Sequence, residues 1–278
     1  MSQCFSFATV SVKDLATARR LWETAFGLAP VSAPAGAANP DAAQEVFLGE
    51  PGQTKGVDHL VQYPQPGQPV RGGARTTDLC PKNLDLYCID LPTRFEELAK
   101  MGYEFRAPWS EYAVEGRVVR EVQLLGPDDT NIGLMELEDV PVAFSQTGFS
   151  GLGPVVCIVP DADAECAFYQ KRFGLETVIH KYLDGPEIEK MIGLPPGAGL
   201  DMRVMGHPDR WLGRVEIIQY RGATGENRYP LATPPATGFL SLTYLTDDLR
   251  SQPESAERVT NGLRVHTPAG MSIDVLDG

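Results

Sequence analysis

The stretches VSVKDLATARRLWETAFGL (Val10–Leu28) and CIVPDADAECAFYQKRFGL (Cys157–Leu175) align without a gap. Each reads as a short apolar strand, an aspartate, and a helix closed by Phe-Gly-Leu. Asp14 and Asp161 stand where an N-cap carboxylate would accept a free backbone N–H. Leu15, Ala18, Leu21, Trp22, Ala25 and Phe26 recur with helical spacing and predict one buried face. Gly27 and Gly174 follow the last helical residue, where a left-handed C-cap favours glycine. One supersecondary unit is therefore present twice, and a repeat of that length organises a whole chain.

Working outward, FLGEPGQTKGVDHLVQY (Phe47–Tyr63) aligns with VMGHPDRWLGRVEIIQY (Val204–Tyr220), again without a gap. LDLYCIDLPTRFEELAKMGYEF (Leu84–Phe105) is strand, helix, strand, and VREVQLLGPDDTNIGLMEL (Val119–Leu137) is a hairpin. GFLSLTYLTDDL (Gly238–Leu249) and RVHTPAGMSIDVLDG (Arg264–Gly278) repeat that start and finish. The pattern predicts an α+β protein of four βαβββ units, at residues 5–75, 76–143, 150–228 and 236–278. The fourth unit is the shortest and lacks room for most of one strand. VAFSQTGFSGLG (Val142–Gly153) reads as the linker, dividing the chain into domains 1–143 and 150–278.

Among 278 residues, 42% are hydrophobic and 22% charged, which suits a globular protein, and the formal net charge is −13. That charge opposes nucleic acid and anionic membrane surfaces as partners. No apolar run is long enough for a membrane helix and no signal peptide is visible, so a cytoplasmic location is expected. Five cysteines without any C-x-x-C spacing predict buried, reduced thiols rather than a zinc site.

The aspartate-initiated helices, the FGL helix ends and the GPDD and TPAG turns before the last strands resemble the vicinal oxygen chelate superfamily. This is the glyoxalase, bleomycin-resistance and extradiol-dioxygenase group. The resemblance implies that paired units curl a sheet into an open barrel around a pocket. It also implies a divalent metal held by side chains of first and last strands, usually His and Glu. Carried over by counting from the helix-start aspartate, the first-strand positions fall on Phe7, Leu84, Pro154 and Leu240. The last-strand positions fall on His59, Gly133, Glu216 and Asp274. The usual ligand set is missing, so no metal and no other cofactor is expected. A metal on His59, Glu216 and Asp274 is the disfavoured alternative. Neighbouring units could pair, or units one and four, which would bring His59 and Asp274 into one pocket.

Without a metal, Glu216 in an apolar strand has two readings. It is a solvated lip residue paired with Arg203 or Arg214, or an acid whose pKa burial raises toward neutrality. In the second reading Glu216 is a general acid or base with Asp274 as partner, and His59 is a base in the other half. His59 could equally be a hydrogen-bonded core histidine. Period-two alternation from the ligand positions sends Tyr63, Leu86, Cys88 and Met135 to one pocket. It sends Tyr220, Leu242 and Tyr244 to the other. Phe7, Tyr63, Met135, Tyr220, Leu240 and Tyr244 are the expected contacts to a hydrophobic or aromatic small molecule. The stretch APWSEY (Ala107–Tyr112) reads as a surface loop or a lid. The expected function is a metal-independent lyase or isomerase, in a monomer or homodimer. The alternatives are a sequestering, resistance-type binding protein and a metal-dependent lyase or dioxygenase with an atypical ligand set.

Overall fold

The computed structural model describes residues 4–114, 116–246, 249 and 256–277. Unit one contains β1 (Phe7–Ser11), α1 (Leu15–Arg19) running into a π-helical turn (Arg20–Ala25), β2 (Ala29–Pro30), β3 (Gln44–Gly49) and β4 (Val57–Gln62). Unit two contains β5 (Pro81–Cys88), α2 (Leu91–Lys100), β6 (Ser110–Val114), β7 (Arg117–Leu125) and β8 (Asn131–Leu137). Unit three contains β9 (Phe149–Ile158), α3 (Ala162–Phe173), β10 (Glu176–Leu183), α4 (Pro186–Ile192), β11 (Gly199–Gly206) and β12 (Arg214–Arg221). Unit four contains β13 (Gly238–Thr246), β14 (Glu257–Val259), β15 (Gly262–His266) and β16 (Ser272–Asp277). The helix expected after Thr246 lies outside the described residues, and β14 has only three residues, as the shortened unit predicts.

The predicted caps are present. Asp14 and Asp161 accept from the backbone N–H of Thr17 and Ala164. Gly27 and Gly174 take positive φ of 70° and 65°. The apolar helix face buries Leu15, Ala18, Leu21, Trp22 and Phe26 in a core that also holds Leu84, Phe149 and Leu152. Burying each large apolar side chain is worth about 1.5–3 kcal/mol.

The strands form two eight-stranded sheets, ordered β14-β15-β16-β13-β1-β4-β3-β2 and β10-β11-β12-β9-β5-β8-β7-β6. Units one and four build the first sheet, and units two and three the second. The seams are antiparallel: Phe7 on β1 faces Thr243 on β13, and Leu84 on β5 faces Val155 on β9. The sequential halves 1–143 and 150–278 are therefore not the two sheets. Similarity within each unit defines the unit, whereas the pairing depends on which first strands meet. The linker is also shorter than expected, because Phe149–Gly153 already belong to β9.

The two sheets touch at a backbone crossing. Gly56 N–H donates to Phe5 O, Leu152 N–H to Gly56 O, and Gly213 N–H to Leu152 O. Gly56 and Gly213 occupy the same repeat position, with φ of 66° and 76°. A Cβ on Gly56 would lie 2.2 Å from Leu152 O, so only glycine admits this approach. Among the described residues no helix is long and apolar enough to cross a membrane.

Candidate functional site

Each sheet curls around a cavity. The first, of about 640 Å³, is lined by Phe7, Thr9, His59, Tyr63, Leu240 and Asp274, together with Ser241 and Thr243. Parallel pairing of β1 with β4 sets Thr9 beside His59. His59 Nε2 is 2.8 Å from Glu45 Oε2, and Nδ1 is 3.3 Å from Thr9 Oγ1. Phe47 stacks on the imidazole at 4.0 Å, and Phe7 meets it edge-on at 5.3 Å. Burial lowers the His59 pKa against the opposing pull of Glu45. The His59 hydrogen bond in turn lowers that of Glu45. A neutral imidazole that donates from Nε2 to a glutamate satisfies both directions. Asp274 accepts two bonds from Arg264, at 2.7 and 2.9 Å. Tyr63 Oη accepts from Asn39 at 2.9 Å. His59 and Asp274 thus share a cavity as the one-with-four pairing requires, but His59 is held by its hydrogen bond to Glu45 and Asp274 by its ion pair with Arg264.

The second cavity is narrower, about 90 Å³, and holds Glu216 and Met135. Glu216 and Asp274 therefore lie in different cavities, and the expected Glu216–Asp274 pair does not form. Instead Asp85 on β5, Glu121 on β7 and Lys82 on β5 line the same walls as Glu216. The remaining lining is largely apolar, including Val156, Ile188, Met202, Val204 and Ile218. Gly133 lies beside Asp85 in the β5–β8 register. A Cβ there would sit 2.2 Å from Asp85 Oδ1, so the glycine leaves room for that carboxyl. Tyr112 Oη donates to Glu121 Oε2 at 2.5 Å, and Lys82 Nζ donates to Tyr220 Oη at 2.8 Å.

Half-buried Glu216 has no hydrogen-bond partner among the described residues. Neither expected arginine reaches it. Arg203 binds Asp163 and Asp201, while Arg214 donates to the carbonyls of His207, Pro208 and Arg210 and lies over Trp211. Burial pushes the Glu216 carboxyl up to about 8, with the charge of Glu121 adding and that of Lys82 opposing. Asp85 is raised well above the carboxylate range by burial and then by Glu216 and Glu121. Glu121 is raised by burial against its Tyr112 hydrogen bond and Lys82. Lys82 is lowered to about 7 by burial and by the charges of Arg71 and Arg106. With Glu216 raised to about 8 and Lys82 lowered to about 7, a carboxylic acid and a free amine lie together inside an apolar wall.

Several expected positions are corrected. On β5 the cavity receives Asn83, Asp85 and Tyr87, while Leu84, Leu86 and Cys88 enter the core. Leu84 stands six residues before Asp90, whereas Phe7 and Pro154 stand seven before Asp14 and Asp161; the same count of seven from Asp90 gives Asn83, which does line the cavity. On β13 Leu240 lines the first cavity, but Leu242 and Tyr244 are core, with Tyr244 stacked on Phe173 at 4.0 Å. A register shift between β1 and β13 causes that change of face. Tyr220 binds Lys82 and does not line the cavity wall. Ser110–Tyr112 are the start of β6, not a loop, and Tyr112 faces the second cavity. Sequence reasoning missed Lys82, Asp85 and Glu121. The signal was present, since the fully buried run PKNLDLYC carries two charged residues.

The metal implied by the family resemblance does not fit these donors. In the first cavity both His59 nitrogens and both Asp274 oxygens are already engaged, and Phe7 offers nothing. In the second, Pro154 and Gly133 cannot ligate through a side chain. Among the described residues no group of three His, Cys, Asp or Glu is placed to hold a metal ion.

No family model and no curated protein matches the chain. Solved structures do. Glyoxalase I from Zea mays superposes with a TM-score of 0.70 at 15% identity, covering 99% of this chain and 92% of that one. The cppA protein from Streptococcus pneumoniae superposes with a TM-score of 0.51 at 11% identity over 100% of both chains.

Proposed function

On what is thus a vicinal oxygen chelate fold, we propose that the second cavity is the working site of a metal-independent acid–base catalyst. It is a lyase or isomerase acting on a small apolar or aromatic molecule. The observation that carries this reading is Glu216, an unpartnered carboxyl facing an apolar cavity beside Asp85 and Glu121. A neutral carboxylic acid there donates a proton to a substrate heteroatom. A second member of the set, once ionised, accepts a proton from carbon. The charge of Glu121 raises the Glu216 pKa, and the charges of Glu216 and Glu121 raise that of Asp85, so ionising all three together is disfavoured. That coupling keeps one acid and one base available in the same site. The surrounding Val156, Met202, Val204 and Ile218 exclude water and select an uncharged ligand.

The test is solvent deuterium exchange into small ketones, aldehydes and aromatic compounds, followed by NMR with a chelator present. The wild-type protein exchanges a C–H that Glu216→Gln does not. Equal rates in both proteins overturn the assignment, and a stoichiometric transition metal on elemental analysis overturns metal independence. The loss of ligating side chains at Phe7 and Pro154 favours a second reading, a binding protein. That reading predicts stoichiometric capture with the ligand recovered unchanged.

A further inference from the structure

Lys82 is only 2% exposed, yet it lines the second cavity. Burying an ammonium is costly unless a carboxylate pairs with it. Three carboxyls share that cavity, and Lys82 makes an ion pair with none of them among the described residues. Its nitrogen instead meets a phenol, Tyr220 Oη, at 2.8 Å. The charges that act on it next after burial are those of Arg71 and Arg106. Those guanidiniums are themselves bound to neutral groups. Arg71 donates to Cys80 Sγ at 2.8 Å and Arg106 to Gln123 Oε1 at 3.2 Å. Buried Lys82 and Arg71 and the more exposed Arg106 therefore cluster without a salt bridge among the described residues, in a chain of net charge −13. A lysine kept for folding would be paired. A lysine desolvated beside other cations is a free amine and a nucleophile.

We propose that Lys82 attacks the carbonyl carbon of a small aldehyde or ketone and holds it as an imine. The nitrogen lone pair forms the C–N bond while the carbonyl π pair moves to oxygen, and one proton passes from nitrogen to that oxygen. The resulting carbinolamine takes a second proton from the Glu216 carboxyl and loses water as the nitrogen lone pair closes C=N. The products are a protonated imine, water and the Glu216 carboxylate, with no change of oxidation state. The iminium then draws electrons from the neighbouring carbon and acidifies its C–H, which an ionised carboxylate of the cavity removes. This rests on the second cavity being the working site and narrows its substrate class to small carbonyl compounds.

The test is borohydride trapping of the intact protein with acetone, and separately with propanal, read by peptide mass mapping. The expected result is one alkyl group on Lys82, added faster than on exposed Lys13 and Lys100. Lys82→Met, checked for folding by circular dichroism, loses that label. Arg71→Gln removes a neighbouring positive charge and so raises the amine pKa. Trapping at neutral pH then slows, about fivefold if the pKa rises by one from about 7, and its onset moves to higher pH. Label confined to surface lysines with both probes overturns the proposal, as does an onset unmoved by Arg71→Gln. Deuterium exchange that depends on Glu216 without label on Lys82 removes the imine and keeps the acid–base reading. Label on Lys82 with exchange indifferent to Glu216→Gln does the reverse.

Discussion

His59 and Glu216 occupy one position of the repeat, on β4 and β12, yet the two cavities treat them in opposite ways. On the neighbouring strand His59 faces Phe47, and two residues before that stands Glu45, its hydrogen-bond partner. Glu216 faces Val204, and the residue two before is Met202. Replacing that glutamate by methionine leaves the acid in the second cavity unmatched. The same contrast holds across the seam, where Asp274 has Arg264, while Asp85 has no salt bridge among the described residues and the charges of Glu216 and Glu121 outweigh that of Lys82. A cavity whose charges are mutually satisfied is electrostatically quiet, however roomy. A cavity with unmatched groups holds protons in unusual states, and proton transfer needs such states.

The largest effect that would sharpen this contrast is on turnover. Glu216→Gln should cost about two to four orders of magnitude in the exchange rate, the usual worth of a general acid or base. The same substitution reports on stability. With its pKa raised from 4.5 to about 8, Glu216 binds more protons folded than unfolded between those values. Its contribution is therefore fully present below pH 4.5 and is lost as pH rises to 8. Denaturation midpoints across that range should fall in the wild type and fall less in Glu216→Gln.

Asp58 gives the first sheet a matching pH response on its core face. It is fully buried, and its carboxyl is pushed up to about 8 by burial against a weaker pull from Trp22. The aligned residue in the second sheet is Val215. Asp58→Asn should remove a second part of the stability lost between pH 4 and 8, at most about 1.4 kcal/mol for each tenfold gain in proton affinity on folding. A midpoint that still declines as steeply would show that Asp58 ionises freely in the folded protein.

Smaller effects follow in the quiet cavity. Glu45→Met copies the second cavity's residue into the first and leaves the buried imidazole without its acceptor, at a cost of about 1–3 kcal/mol in chemical denaturation. The smallest effect is the most discriminating. Asp274→Asn should leave exchange within about twofold of wild type, since mutations at separated sites act independently. A loss as large as that of Glu216→Gln would move the chemistry to the first cavity.

Much of this architecture is legible in a single chain. The gap-free repeat, the caps at Asp14 and Asp161 and the glycines at 27 and 174 are local signals, and local physics decides them. The positions of His59, Glu216 and Asp274 followed from the same alignment, and all three line cavities. The faces of the buried run PKNLDLYC were legible too, since Asn83 stands seven residues before Asp90 as Phe7 does before Asp14, and Asn83, Asp85 and Tyr87 alternate with Leu84, Leu86 and Cys88. What local sequence does not show is which groups of other strands share the cavity with Lys82 and Asp85.

The amino-acid order alone determined four repeated units and the side chains at Phe7, Pro154 and Leu240, which cannot ligate a metal, because helix caps, glycine turns and strand lengths act over a few residues. Tertiary structure alone decided that unit one joins unit four and that Glu216 meets Asp85, Glu121 and Lys82 instead of Asp274. Those outcomes depend on which first strands pair across the seam. Pairing is a long-range choice among nearly equivalent edges, settled by side-chain packing over both sheets at once.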